Sequence, residues 1–123
     1  MDHGPVLTVA EQARMTLTLE ERACAEQLAR FFPNLPEVRV PVRVSPLRPG
    51  SVVLQESTVV EFASGEVAIF VSNLPLEFDD RVRVVREGAP PAEAAVIALQ
   101  YHDSSKAVAV RFLAGPCEWV MQP

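Results

Sequence analysis

Val38-Arg39-Val40-Pro41-Val42-Arg43-Val44 alternates without a break. Every second residue is valine, and the residues between are arginine or proline. A strand turns successive side chains to opposite faces, so a period of two with β-branched residues gives one dry face and one wet face. A helix would scatter these valines around its circumference. Pro41 lies on the wet face and has no N–H to offer a neighbour, which predicts an edge or a barrel opening at this strand. Pro46-Leu47-Arg48-Pro49-Gly50 then reads as loop.

Five further strand-like runs follow: Val52 to Phe62, Glu66 to Val71, Arg81 to Arg86, Glu93 to Tyr101 and Lys106 to Phe112. The breaks carry turn chemistry. Ser64-Gly65 suits a tight turn, Asn73, Pro75, Asp79 and Asp80 a longer loop, Gly88 to Pro91 a rigid corner, and His102-Asp103-Ser104-Ser105 a polar hairpin tip. Six short strands at close spacing, with no helices between them, argue for a mainly β chain folded as a six-stranded antiparallel β-barrel and exclude a parallel α/β sheet. The tail from Gly115 to Met121 is expected to fold back so that Trp119 packs on the sheet.

Upstream of Pro36 the period changes. Thr18-Leu19-Glu20-Glu21 has capping-box spacing, and Cys24, Leu28, Phe31 and Phe32 form an apolar stripe behind it. Glu26 and Arg30 stand four apart, in the order that favours a surface pair. Pro33 stops the helix and Asn34 fits the turn after it. Thr8-Val9-Ala10-Glu11 offers a second box and a short earlier helix through about Met15. The chain thus divides into an N-terminal helical segment, residues 1–35, and a barrel domain, residues 36–123.

The length, 123 residues, suits one domain with a core of its own. A chain 49% hydrophobic and 22% charged is not disordered. Its net charge of −5 argues against nucleic-acid polymers, which need a basic footprint. No apolar run is long enough to cross a bilayer, and Met-Asp-His-Gly-Pro lacks the basic and apolar regions of a signal peptide. These features predict a cytoplasmic protein without membrane insertion. Cys24 and Cys117 form neither a CxxC pair nor zinc spacing and read as two idle thiols.

Catalytic constellations are missing. His3 and His102 stand apart from any second metal ligand, and no HExxH, P-loop or GxGxxG occurs. His102, Asp103 and Ser104 are triad residue types, but three successive residues cannot aim their side chains at one another as a relay requires. Asp79 and Asp80 diverge as sequence neighbours and read as turn formers. Trp119 and Phe112 read as core. No enzyme, metal or cofactor is expected. Arginine is the exception. Arg39, Arg43 and Arg48 gather in one stretch, and Arg81, Arg83 and Arg86 in another. Guanidinium forks suit phosphate recognition, although arginine stems also cover exposed strand faces.

From Pro36 to Trp119 the pattern resembles a PilZ domain. Arg39-Val40-Pro41-Val42 resembles that family's arginine-valine-proline lead into its first barrel strand. Glu56 to Phe62, Ser64-Gly65 and Val67 to Val71 resemble the two strands around its serine-glycine turn. Leu74 to Val84 resembles its leucine, turn and strand segment, and Ala107 to Leu113 its last strand. The resemblance implies a six-stranded barrel and cyclic di-GMP as the ligand to consider. Binders in the family carry R-x-x-x-R and then D/N-x-S-x-x-G. Arg39 to Arg43 fits the first motif literally. In the family's other register Arg39 is the second arginine and Leu35 stands in place of the first. In the second motif, Glu61 supplies the acid, Ala63 replaces the serine and Glu66 the glycine. A one-residue shift restores Ser64 and Gly65 with a shorter turn. Glu66 sets a negative charge where a doubly anionic ligand would lie.

These features support a non-enzymatic PilZ-type signalling or binding module in which cyclic di-GMP binding is weak or lost. It would act through protein contacts, with Leu28, Phe31 and Phe32 as anchors if the barrel does not already use them. One alternative is a working cyclic di-GMP receptor using Arg39, Arg43, Arg48, Ser64 and Gly65. Another is a structural assembly subunit with an unrelated small barrel. The protein partner and the oligomeric state are not encoded in any motif.

Overall fold

A computed structural model of the chain describes residues 19–47, 54–102 and 105–121, apart from the side chains of Trp119 and Met121. In chain order these residues form a helix α1 (Leu19–Ala29), strands β1 (Glu37–Pro46), β2 (Glu56–Ala63), β3 (Val67–Val71), β4 (Arg81–Val85), β5 (Ala92–His102) and β6 (Ser105–Phe112), and a short 3-10 turn, Glu118–Met121. The strands pair antiparallel throughout and close into a barrel in the order β1-β2-β3-β6-β5-β4. The expected mainly β barrel with an N-terminal helix is what the chain forms. Thr18, the segment from Thr8 to Met15, Arg48, Asp103, Ser104 and the Trp119 side chain lie outside the described residues and side chains.

The alternating valines of β1 make the inner wall. Val40, Val42 and Val44 are buried and meet Val60, Phe70, Val82, Val84, Val96, Val108 and Val110 from the other strands. Branched and aromatic side chains fill a six-stranded barrel to its axis, leaving a packed core. Leu74 and Leu76, from the loop before β4, join this core, as do Cys117 and Val120 from the C-terminal segment.

Pro41 sits where its missing donor does no harm. Leu47 N–H donates to the Arg81 carbonyl on β4, 2.8 Å away. Residues of the same parity on β1 point their backbone groups the same way, so Arg43 and Pro41 also face the β4 side. The β1–β4 ladder runs from Pro46 only as far as Arg43. Pro41 lies beyond its end, on a stretch paired with β2 alone. The barrel opening predicted from this proline is therefore local, within a sheet that closes.

Helix α1 lies on the outer wall. Cys24, Ala25 and Leu28 pack on Ile69, Val71, Ala107 and Ala109, with Phe32, Leu35, Phe62, Ile97 and Ala98 around them. β3 is thus buried on both faces. The alanines beneath the helix leave room for it to approach the sheet closely. Regular helix ends at Ala29, and bonds to the third residue back carry the chain through Phe31 and Phe32. Pro33 disfavours helical backbone at Phe32, which explains the early stop, and Asn34 takes a left-handed φ of 63° in the turn. Glu26 pairs with Arg22 at 3.6 Å rather than with Arg30, because Arg22 is held on that side by Glu37.

The loop before β4 is tied down by polar groups. Ser72 Oγ donates to Glu56 Oε1 at 2.6 Å and accepts the Leu74 N–H at 3.0 Å. Asn73 N–H donates to Glu56 Oε2 at 2.8 Å, and Lys106 Nζ donates to the Leu74 carbonyl. Burial pushes the Lys106 ammonium below its usual pKa, and nearby Glu56 pulls it back up. Asp79 adopts a φ of 73°, and Asp80 Oδ2 accepts the Glu77 N–H at 2.9 Å, so both aspartates serve the turn as expected.

Candidate functional site

With the barrel interior filled, the polar groups capable of binding lie on its outer wall and at its ends. On β1, Arg39, Pro41 and Arg43 all point outward and are exposed. Four residues of strand separate the two arginines by about 13 Å. They share a face, as their spacing requires, but they have different neighbours.

Arg39 stands beside a distortion in the sheet. The β1–β2 register shifts between Glu37 and Val40, and the β2–β3 register between Val60 and Phe62. Such bulges re-aim side chains locally. Here Glu61 is only 4% exposed, although it is a carboxylic acid. Burial pushes its pKa up. The Arg39 guanidinium opposes that shift most strongly, then Arg22, while Glu37 adds to it. Arg22 reaches across from α1 to hydrogen-bond Glu37. Arg39 therefore belongs to a charge cluster that fastens α1, β1 and β2 together. Arg43 pairs with Ser57 on one side and Val85 on the other, toward the opposite end of the strand.

Ser64 and Gly65 are at the β2–β3 turn, at the Arg39 end of β1, where Ala63 N–H donates to the Pro36 carbonyl at 3.1 Å. Ser64 Oγ accepts the N–H groups of Glu66 and Val67, each at 3.2 Å. The Gly65 carbonyl accepts the Cys117 N–H at 2.6 Å. A Cβ on Gly65 would stand 3.4 Å from the Pro116 Cβ. The C-terminal segment thus lies directly over this turn. Arg48, the fifth residue of the expected ligand set, is outside the described residues.

The expected partner stripe on α1 is divided. Leu28 is buried on the chain's own barrel and Phe32 is half-buried there, so neither is free to anchor a partner. Phe31 is 74% exposed because the turn after Ala29 swings it outward. Cys24 and Cys117 are both buried and neither is in a disulfide. Cys24 Sγ–H donates to the Gln100 carbonyl at 3.1 Å, and burial raises its pKa despite a backbone hydrogen bond at Ala107 that lowers it.

A second arginine group was only half visible in the sequence. Arg81 pairs with Ala95 on β5, and Ala95 pairs with Arg111 on β6. All three point outward in one cross-strand row. In the next row Arg83 pairs with Glu93, at 3.9 Å between their charged groups. Alternation of Val108-Ala109-Val110-Arg111 turns Arg111 outward. Only the strand order reveals that it lies near Arg81, thirty residues away in sequence.

Among the described residues, no three His, Cys, Asp or Glu side chains come together as metal ligands would. Among the same residues, no helix is long and apolar enough to cross a membrane. No protein-family model matches the chain, and no curated protein and no solved structure matches it.

Proposed function

We propose that this protein is a non-enzymatic binding module of the PilZ type, in which cyclic di-GMP binding is weak or lost and protein contacts carry the function. The observation behind this reading is the state of the Ser64–Gly65 turn. Its serine oxygen already accepts two backbone N–H groups, its glycine carbonyl is taken by Cys117, and Pro116 covers the side where a Cβ would lie. The Arg39 guanidinium is the positive charge that most offsets the burial of Glu61, so recruiting it to a phosphate would weaken that support. Two cysteines outside any disulfide fit a reducing compartment, and the module is taken to act in the cytoplasm.

Exposure of Arg39 and Arg43 on one strand face favours a second reading, a working cyclic di-GMP receptor. The Ser64 hydroxyl proton remains available for such a ligand. Isothermal titration calorimetry of the full chain and its Arg39→Ala variant with cyclic di-GMP separates the two. The proposed reading expects no saturable heat up to high micromolar ligand from either folded protein. A micromolar or tighter site that disappears in Arg39→Ala establishes the receptor instead.

A further inference from the structure

Strand β5 outruns its neighbour on one side. Its ladder to β4 covers Ala92 to Ala95. Val96 is then held by the loop before β4: Asp79 N–H donates to the Val96 carbonyl at 2.8 Å, and Val96 N–H to the Asp80 carbonyl at 2.9 Å. From Ala98 to His102 the strand pairs with β6 alone. Opposed residues of an antiparallel pair either exchange backbone bonds or turn those groups outward, in alternation. The Lys106 carbonyl accepts the Ser72 N–H at 2.9 Å, so Lys106 turns its backbone groups toward β3. Its partner Tyr101 therefore turns its N–H and carbonyl away from β6. Leu99, opposite Val108, does the same. Among the described residues no hydrogen bond closes this edge at Leu99 or Tyr101.

A bare strand edge is a template for another strand, and folded proteins blunt such edges with charge or proline. β1 follows that rule. Its stretch before Arg43, paired with β2 alone, carries Glu37, Arg39 and Pro41. The β5 edge does not. Val96-Ile97-Ala98-Leu99-Gln100-Tyr101 contains no charged residue and no proline. Branched and aromatic side chains favour sheet here, and no charge holds another strand off. Tyr101 is 63% exposed, and Phe78, next to Asp79 at the same edge, is 69% exposed.

This edge is its own complement. Its two open residues flank Gln100 symmetrically. A twofold axis at Gln100 sets Leu99 of one copy opposite Tyr101 of the other, and the reverse. Both pairs then exchange their backbone bonds, so every open N–H and carbonyl of the two residues finds a partner. The Tyr101 ring of each copy lies across from Leu99 of the other, an aromatic–aliphatic pair that covers exposed ring. Gln100 meets Gln100, so two chains of net charge −5 set no like charges against each other along the paired stretch. The pairing uses up the edge, and assembly stops at two. Such a contact is small beside the roughly 1,200 Å² of a lasting interface, so the pair exchanges rapidly and needs concentrated protein.

We infer that two copies of this chain join edge to edge through Leu99 to Tyr101 of β5, antiparallel about a twofold axis at Gln100. The inference goes beyond the binding-module reading, which names no partner and no oligomeric state, and it does not depend on cyclic di-GMP.

The test combines sedimentation velocity with hydrogen exchange on the full chain over about a hundredfold range of concentration. The average mass should climb from one chain toward two. The Leu99 and Tyr101 amides should exchange at least about fivefold more slowly in the concentrated sample than in the dilute one. Tyr101→Pro removes a donor from the open edge and spares Gln100 and His102, which bond β6. Tyr101→Lys puts a charge there instead. Each variant, checked for an unchanged circular dichroism spectrum, should weaken dimerisation at least about tenfold, and Phe31→Ala, an exposed ring elsewhere, less than about twofold. A chain that keeps a single mass at every concentration overturns the inference. Slow Leu99 and Tyr101 amides in that monomer would mean that a segment of the same chain closes the edge, and fast ones would leave it to a strand of another protein. A dimer unmoved by Tyr101→Lys, broken by Phe31→Ala, or with both amides still fast also overturns it, because the copies then meet elsewhere. A tight cyclic di-GMP site lost in Arg39→Ala defeats the proposed function and leaves the dimer standing.

Discussion

Glu61 is a carboxyl group withdrawn from water at the point where two bulges meet. Its charge is tolerated because Arg39 and Arg22 stand near it, yet burial outweighs them and its pKa is raised. The folded protein therefore holds this proton more tightly than the unfolded chain does. Stability that the protonated group contributes is fully present below the ordinary carboxylate range and is lost as pH rises through the raised value. Glutamine has the same shape and does not titrate. Glu61→Gln is expected to melt higher than the parent at pH 7, with the gap closing as pH falls below the carboxylate range. Thermal melts across pH check this, and a lower melting temperature for the variant at pH 7 would show that the arginine contacts dominate. Nothing in the sequence marked Glu61 as buried, since a strand of regular alternation would have set it at the surface. Its burial on the outer side follows from two register shifts, one on each side of β2, and from the charged groups of β1 and α1 gathered around it.

At the scale of elements, the direction of backbone groups on β1 separates two prolines, one native and one to be introduced. Arg43 is exposed, so changing its side chain costs little packing, but its N–H faces Val85 across the ladder. Arg43→Pro is expected to destabilise the fold by about 1–3 kcal/mol through that lost bond and the carbonyl left without a partner. Pro41→Thr restores a donor where no strand stands to receive it and should change stability by less than about 0.5 kcal/mol. Urea unfolding of the two variants measures both. The strands themselves were legible because valine alternation and turn residues are local signals. The β1 and β4 segments fall within about two residues of expectation. Less legible was the end of α1, where Pro33 acts at a distance of several residues. The fate of Leu28, Phe31 and Phe32 was also hidden, because an apolar stripe has no mark that tells a chain's own barrel from a partner.

For the molecule as a whole, the barrel's closure is uneven. Strand β4 is joined by four residue pairs to β1 and by four to β5, whereas β5 and β6 share eight. The site was less readable than the fold for a related reason: Arg39 and Arg43 are four apart in sequence, but Arg81 and Arg111 become neighbours only through the strand order. Strand β3 is as short, and its ladder to β2 has three residue pairs, but α1 packs on it; β4 has no residue beneath the helix, and this has a consequence for motion. A cylinder opens first where its staves are shortest, so the amides along the β1–β4 seam should exchange with deuterium well before those of Val108 and Val110 in native-state hydrogen exchange. Equal protection across all six strands would contradict this. Helix α1, laid across β3, β6 and β5, acts on this barrel as a hoop acts on a cask, and β4 is a stave with no residue packed beneath it.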